Sequence, residues 1–86
     1  MNKHKYSLKH LYVGTNVECK HPVKIQTDSL GLTFSELNSC TQYTIETIST
    51  KKIILVSFDQ NFIKHYLPCD TFDLLFALNA HLLRLV

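Results

Sequence analysis

The last seventeen residues constrain the fold of this chain most, because they are more apolar than the surface of a small protein tolerates. The segment reads DTFDLLFALNAHLLRLV, and eleven of the sixteen residues from Thr71 onward are apolar. Pro68 disfavours the continuation of a preceding strand, and the oxygen of Asp70 or Thr71 is suited to cap the first amides of a helix. We therefore predict a helix over residues 70–86.

The apolar side chains of this helix would cover an arc of roughly 200°, about twice what packing on one core requires. Asn79 falls inside that arc, where an amide needs a hydrogen-bond partner. Two interpretations follow: Asn79 pairs with its symmetry mate across a helical interface, or it bonds the backbone of its own domain while the helix caps an open barrel end. The first predicts an interface formed by Leu75, Leu78, Asn79, Leu82 and Val86.

The length of 86 residues predicts one domain, spanning residues 1–86, with a single core and no deep private cleft. The longest apolar run near the basic start, residues 11–13, is shorter than the core of a secretory signal, which needs roughly 7 to 15 residues. The apolar tail is interrupted by polar residues and falls short of the roughly 20 needed to cross a bilayer. We expect a cytoplasmic protein without a membrane association.

The net charge of +2 hides an asymmetry, because residues 1–24 carry five lysines against one acid and residues 25–86 carry four bases against six acids. We expect residues 1–5 to be loosely ordered. In one interpretation, the basic start of the chain serves as a solubilising arm. The alternative is that this segment binds nucleic acid, with positive charge from lysines and an aromatic ring from a tyrosine. The candidate residues are Lys3, Lys5, Lys9 and Tyr12. The absence of arginine among these bases favours the first interpretation.

The three cysteines cannot all pair within one chain, so we expect reduced thiols that act as small buried hydrophobes. The metal-ligand candidates are Cys19 with His21 and His65 with Cys69, but neither pair has the spacing of a zinc site. The sequence also lacks paired carboxylates and a phosphate-binding glycine loop. We predict no metal, no cofactor and no catalytic residue, and hence a protein that is not an enzyme.

The remainder of the chain predicts strands. Alternation of apolar and polar residues indicates a strand over residues 6–13. We expect short extended pieces over 17–20 and 23–27, and a single helical turn over 35–38. The clearest signal is a meander of three antiparallel strands over residues 43–48, 53–58 and 62–67, each pair being separated by a short polar turn. IILVSF is apolar on both faces and is expected to be the central strand. Residues 6–69 are thus predicted to form the β-rich part of the domain.

From Leu37 onward the order is a polar turn NSCTQ, the strands YTIETI, IILVSF and FIKHYL, and then Phe72. With Tyr43 and Ile45 in its first strand, Asp59 in a turn and Tyr66 in its last strand, residues 37–72 resemble the second half of the Src-homology-3-like small β-barrels of short bacterial and phage proteins. Two departures are Cys40 and Thr41, which stand where that pattern has a turn glycine, and the apolar tail that follows Phe72.

The resemblance implies a mainly β (α+β) fold, a small and partly open antiparallel barrel of about five strands, with the apolar helix added at its end. It also suggests a regulator or inhibitor of phage or mobile-element origin. Together with the apolar tail, this predicts a non-enzymatic protein-interaction module that forms a homodimer or docks on a host protein through its C-terminal helix. The alternative is a nucleic-acid-binding regulator that uses the basic amino-terminal segment.

Overall fold

The structure, a computed structural model, describes residues 5–86; Lys3 and the first part of the predicted loose segment lie outside the described residues. It contains a 3-10 turn at Leu8–His10, seven strands and one α-helix. In chain order these are β1 (Asn16–Glu18), β2 (Val23–Gln26), β3 (Phe34–Leu37), β4 (Tyr43–Ile48), β5 (Lys52–Phe58), β6 (Lys64–Asp70), α1 (Thr71–Asn79) and β7 (Arg84–Leu85). The prediction of a mainly β chain with a C-terminal helix is confirmed.

The main sheet is antiparallel and has the strand order β6-β5-β4-β1-β7. One side of this sheet is the predicted meander, in which β5 pairs with β4 on one side and with the edge strand β6 on the other. Ile53 and Leu55 of β5 are fully buried on the inner face of the sheet. The IILVSF segment is therefore the middle strand of the meander, as its apolar composition predicts.

The short strands β1 and β7 extend this sheet beyond β4. Val17 of β1 lies opposite Tyr43 of β4 on one side and Leu85 of β7 on the other. The last residue continues the pairing, because the Val86 amide donates to the Asn16 carbonyl at 2.9 Å. The end of the chain is thus a strand, where the sequence predicted a helix.

A separate two-stranded hairpin, formed by β2 and β3, contacts β6 and α1. The helical turn predicted over residues 35–38 is wrong, because Ser35 and Leu37 alternate as buried residues along β3. The Ser35 hydroxyl donates to the Pro68 carbonyl at 2.8 Å. This bond fixes the hairpin against the edge of β6.

Strand β6 differs from the predicted segment at both ends. It begins at Lys64, because Phe62 and Ile63 belong to the preceding turn, and it runs through Pro68 to Asp70. Proline is tolerated here because β6 is an edge strand, where a missing amide donor costs no ladder bond. The sequence argument that Pro68 ends the strand was therefore wrong.

Helix α1 begins as predicted and ends much earlier. The Asp70 carboxylate accepts a hydrogen bond from the Asp73 amide at 3.1 Å, which caps the first turn. The helix stops at Asn79 because His81 adopts a left-handed backbone with φ of 62°. The Leu82 amide then donates to the Ala77 carbonyl at 2.9 Å, a C-terminal capping pattern that usually uses glycine.

The strand predicted over residues 6–13 is also wrong. The Ser7 amide donates to Nδ1 of His10 at 2.9 Å, which stabilises the 3-10 turn in place of a strand. Leu11 follows this turn and is buried in the core. Tyr6 and Leu8 are partly buried and pack against this core, so the segment contributes side chains to the packing but no strand.

The core lies between the inner face of the main sheet, the β2–β3 hairpin and α1. Its fully buried members are Val17, Leu37, Ile45, Ile53, Leu55, Cys69, Leu74 and Leu78. Strands β6 and β7 are the two edges of the main sheet and do not pair with each other, so the described residues form no closed barrel. Within residues 5–86, no helix has the length and apolar character that crossing a lipid bilayer requires.

Candidate interaction surfaces

Helix α1 presents two aromatic residues to solvent. Leu74, Ala77 and Leu78 pack into the core, whereas Phe72 and Phe76 are 74% and 66% exposed. Residues four apart lie on the same side of a helix, so the two rings form one apolar surface, which we call the α1 surface. The outer side of a small helix normally carries charged residues.

Asp73 is the only charged residue of α1, and its carboxylate is already engaged. One of its oxygens accepts a hydrogen bond from the Gln26 amide at 2.7 Å, which joins α1 to the end of β2. The α1 surface therefore has no free charge from its own helix beside the two rings.

The five residues predicted to form a helical interface have different environments. Leu78 is fully buried, Leu75 and Asn79 are half-buried, and Leu82 and Val86 are exposed beyond the end of the helix. The prediction that these five residues form one continuous helical interface is wrong, because the helix ends at Asn79 and the chain turns at His81. Leu82 and Val86 remain accessible on the described chain.

Asn79 anchors the amino-terminal segment of its own chain. Its Oδ1 accepts a hydrogen bond from the Tyr6 amide at 2.6 Å, and its Nδ2 donates to the Tyr6 carbonyl at 3.1 Å. The structure thus favours the interpretation in which Asn79 bonds the backbone of its own domain. The side-chain amide of Asn79, which was predicted to pair with its symmetry mate, thus has its hydrogen-bond partners within its own chain.

A second group of exposed apolar residues lies at the tip of the β2–β3 hairpin and consists of Leu30, Leu32 and Phe34. Gly31 in this loop has φ of 72°, and an added Cβ would lie 3.2 Å from the Gln26 side chain. Both features favour glycine at this position. The sequence predicted no helix or strand over residues 28–34 and did not identify this segment as a surface.

The β5–β6 turn carries the most exposed aromatic residue of the described chain. Phe62 is 86% exposed and has φ of 62°, a left-handed conformation that is uncommon for a bulky side chain. Phe58, Ile63 and Tyr66 surround it in sequence and are 61%, 57% and 58% exposed. Phe58 lies opposite Lys64, so Tyr66 is its diagonal neighbour on the same face of the sheet.

Asp59 fixes the conformation of this turn. Its Oδ1 accepts hydrogen bonds from the amides of Asn61 and Ile63 at 2.8 and 3.0 Å, and its carbonyl accepts one from the Phe62 amide at 2.9 Å. Its other carboxylate oxygen lies 2.9 Å from Nε2 of His65. The hydrogen bond with His65 and that from the Ile63 amide lower the pKa of the Asp59 carboxyl.

A groove of about 410 Å³ lies beside this turn. Its lining includes the apolar side chains of Phe58, Leu67 and Tyr43, and its polar lining residues are Glu36, Asn38, Thr41, Ser57, Asp59 and His65. Tyr43 is buried, and its hydroxyl accepts a hydrogen bond from the Asn38 amide at 2.8 Å. The groove thus has an apolar part and a polar rim.

The candidate metal ligands do not converge. Cys19 and His21 line a smaller groove of about 220 Å³, while His65 lies beside Asp59 and Cys69 is buried in the core. Burial raises the pKa of the Cys69 thiol to about 12, so this thiol stays protonated near neutral pH. Among residues 5–86, no cluster of three or more His, Cys, Asp or Glu side chains is arranged to hold a metal ion.

The candidate nucleic-acid residues within the described chain are Lys5, Lys9 and Tyr12, and all three are exposed. Tyr12 is 66% exposed, whereas Tyr6 is half-buried and packs edge-on against His10 with ring centroids 6.1 Å apart. Nucleic-acid binding by this segment stays a prediction.

No protein-family model, curated protein or solved structure matches the chain.

Proposed function

We propose that this protein is a non-enzymatic interaction module that binds another protein through the α1 surface, formed by Phe72 and Phe76. Leu82 and Val86, which follow the helix and are exposed, extend the proposed contact region beyond Asn79. The proposal keeps the predicted role of the C-terminal segment. It changes which side chains of the helix face the partner.

The exposure of two phenylalanines on the outer side of α1 carries this proposal. The inner side of the helix contributes Leu74, Ala77 and Leu78 to the core, whereas most of the surface of the two outer rings stays in contact with solvent. Burying an exposed side chain of this size contributes roughly 2 kcal/mol. Aromatic residues with these properties are enriched among those that dominate the binding energy of protein interfaces.

We also propose that the two sheets together form a partly open barrel of the Src-homology-3-like kind. The strand order β6-β5-β4-β1-β7 supports this, because the meander is extended at one side by the first and last strands of the chain. The Ser35–Pro68 bond supports it as well, since it joins the separate hairpin to the free edge of β6. In this arrangement α1 connects the end of the meander to the final strand.

Affinity purification from the native cell tests the proposed function. The wild-type chain is compared with the double variant Phe72→Ala/Phe76→Ala and with Tyr12→Ala, whose ring is as exposed as that of Phe76. We expect the wild type and Tyr12→Ala to retain the same protein and the double variant to lose it, while all three melt at similar temperatures. Retention of that protein by the double variant would refute the role of the α1 surface.

A further inference from the structure

We infer that the β5–β6 turn is a self-complementary surface through which two copies of this chain associate, with Phe62 of each copy entering the groove of the other. This surface is separate from the α1 surface and involves none of its residues. The inference therefore goes beyond the proposed function. It assigns a role to the groove lined by Phe58, Tyr43 and Leu67.

The protruding half of this surface is the aromatic ring of Phe62, which stands on a turn whose backbone is held by hydrogen bonds. Phe62 is 86% exposed, and the hydrogen bonds that Asp59 accepts from Asn61, Phe62 and Ile63 hold the turn in one conformation. Because the backbone of the turn is already ordered, only the Phe62 side chain loses conformational freedom when it is bound.

The receiving half is the adjacent groove. Its volume of about 410 Å³ lies within the roughly 300 to 1,000 Å³ range of binding pockets, so it accommodates a phenyl ring. Phe58 and Asp59 line the groove and also begin the turn that carries Phe62, so knob and groove are neighbours on one surface. A two-fold axis between them places each Phe62 in the other copy's groove, which is the reciprocal arrangement of a closed dimer.

The charges near the turn favour a second copy over a strongly charged partner. Lys64 lies 3.0 Å from Glu46, and His65 lies 2.9 Å from Asp59. Lys64 is thus paired with a carboxylate within each copy, and the Asp59 carboxylate is hydrogen-bonded within each copy. Two identical turns can approach each other with these groups already bonded, and Glu36 is the remaining carboxylate at the groove.

The exposed area matches that of a reversible dimer. Tyr66 lies on the opposite face of the sheet from His65 and Leu67, which line the groove, so it adds nothing to this area. Fully exposed aromatic side chains present about 150 to 250 Å² each, so Phe58, Phe62 and Ile63 together present roughly 400 Å². Two copies would bury on the order of 800 Å², which is the size of a weak, transient interface. This area predicts dimerisation that depends on protein concentration.

Sedimentation velocity on the full chain tests the inference. We expect the wild type to form a dimer at about 100 μM, and Phe62→Gly to raise the dissociation constant at least about tenfold. Phe72→Ala, which removes a ring of the α1 surface that is 74% exposed, should leave the dimer unchanged. A wild type that is monomeric throughout, or a Phe62→Gly variant that still dimerises with wild-type affinity, would overturn the inference.

A complementation experiment tests the reciprocal geometry itself. Asn38→Trp places a large side chain at the exposed rim of the groove and leaves Phe62 intact, whereas Phe62→Gly leaves the groove intact. Each variant alone should be monomeric. Native mass spectrometry of a mixture, with one variant isotopically labelled, should detect a heterodimer weaker than the wild-type dimer, because one of the two knob-and-groove contacts is restored. Absence of this heterodimer while both variants remain folded would contradict the arrangement.

Discussion

Replacing Asn79 with alanine removes the side chain whose hydrogen bonds tie Tyr6, in the described part of the amino-terminal segment, to the end of α1. Both bonds to Tyr6 are lost, one of 2.6 Å to its amide and one of 3.1 Å from Nδ2 to its carbonyl. A single hydrogen bond contributes about 0.5 to 1.5 kcal/mol to stability. Because this site is partly buried and water can replace part of the loss, we expect Asn79→Ala to lower the free energy of unfolding by about 2 kcal/mol.

In a domain of this size, that change corresponds to a fall in melting temperature of roughly 10 °C. Thermal and urea denaturation measure the loss, and hydrogen exchange at the Tyr6 amide shows whether it originates at this bond. The matched control is Asn61→Ala, since Asn61 is exposed and should change stability by less than about 0.5 kcal/mol.

Two outcomes would refute the reasoning about Asn79. One is a stability of Asn79→Ala equal to that of Asn61→Ala, with unchanged protection of the Tyr6 amide. The other is a change in the mass of the native particle without a loss of monomer stability, which would assign Asn79 to an interface between subunits.

Three further predictions concern the β5–β6 turn and the thiols. At protein concentrations low enough to prevent association, Phe62→Gly should raise the free energy of unfolding by about 0.5 to 1 kcal/mol, because relief of a left-handed residue outweighs the backbone entropy of glycine; a loss above about 1 kcal/mol in denaturation would contradict this. Because its pKa is lowered in the folded state, Asp59 should titrate below 3.8 by NMR. It should support the turn above its unfolded pKa and lose that contribution as the pH falls through the folded value; His65→Ala should bring its pKa closer to the ordinary one. Iodoacetamide at neutral pH should label the exposed Cys40 long before the buried Cys69, whose pKa is about 12, and equal labelling rates by mass spectrometry would contradict the burial of Cys69.

The meander was predictable because several independent signals agree there. β-Branched residues over 43–48, an apolar run over 53–58 and short polar turns between them all favour antiparallel strands. Asp70 likewise marked the start of α1 through its capping position. Local propensity and tertiary structure specify the same elements in these parts of the chain.

The end of α1 was not predictable from periodicity, because a single backbone angle decides it. The apolar pattern continues past His81, but its positive φ turns the chain so that Leu85 can pair with Val17 in the main sheet. Glycine would have signalled this turn, and histidine does not. Leu78 therefore serves the core instead of an interface.

The exposed aromatic residues of the β5–β6 turn and of the α1 surface were not predicted, for a different reason. Phe62 follows a polar turn and precedes a strand, so its apolar character was read as the start of that strand. An aromatic residue directly after DQN is the one local signal that would have identified it as part of the turn. Phe72 and Phe76 were not among the residues of the predicted interface, because hydropathy does not show which side of a short helix packs inward.

Photo-crosslinking in the native cell shows directly whether the α1 surface contacts another protein. A benzoylphenylalanine at position 76 replaces an exposed aromatic residue with one of similar shape, and the same group at Lys51, which is also exposed, serves as the control. In the native cell we expect position 76 to form one dominant adduct with another protein and position 51 to form none. No adduct at position 76, or the same adduct at both positions, would contradict the account.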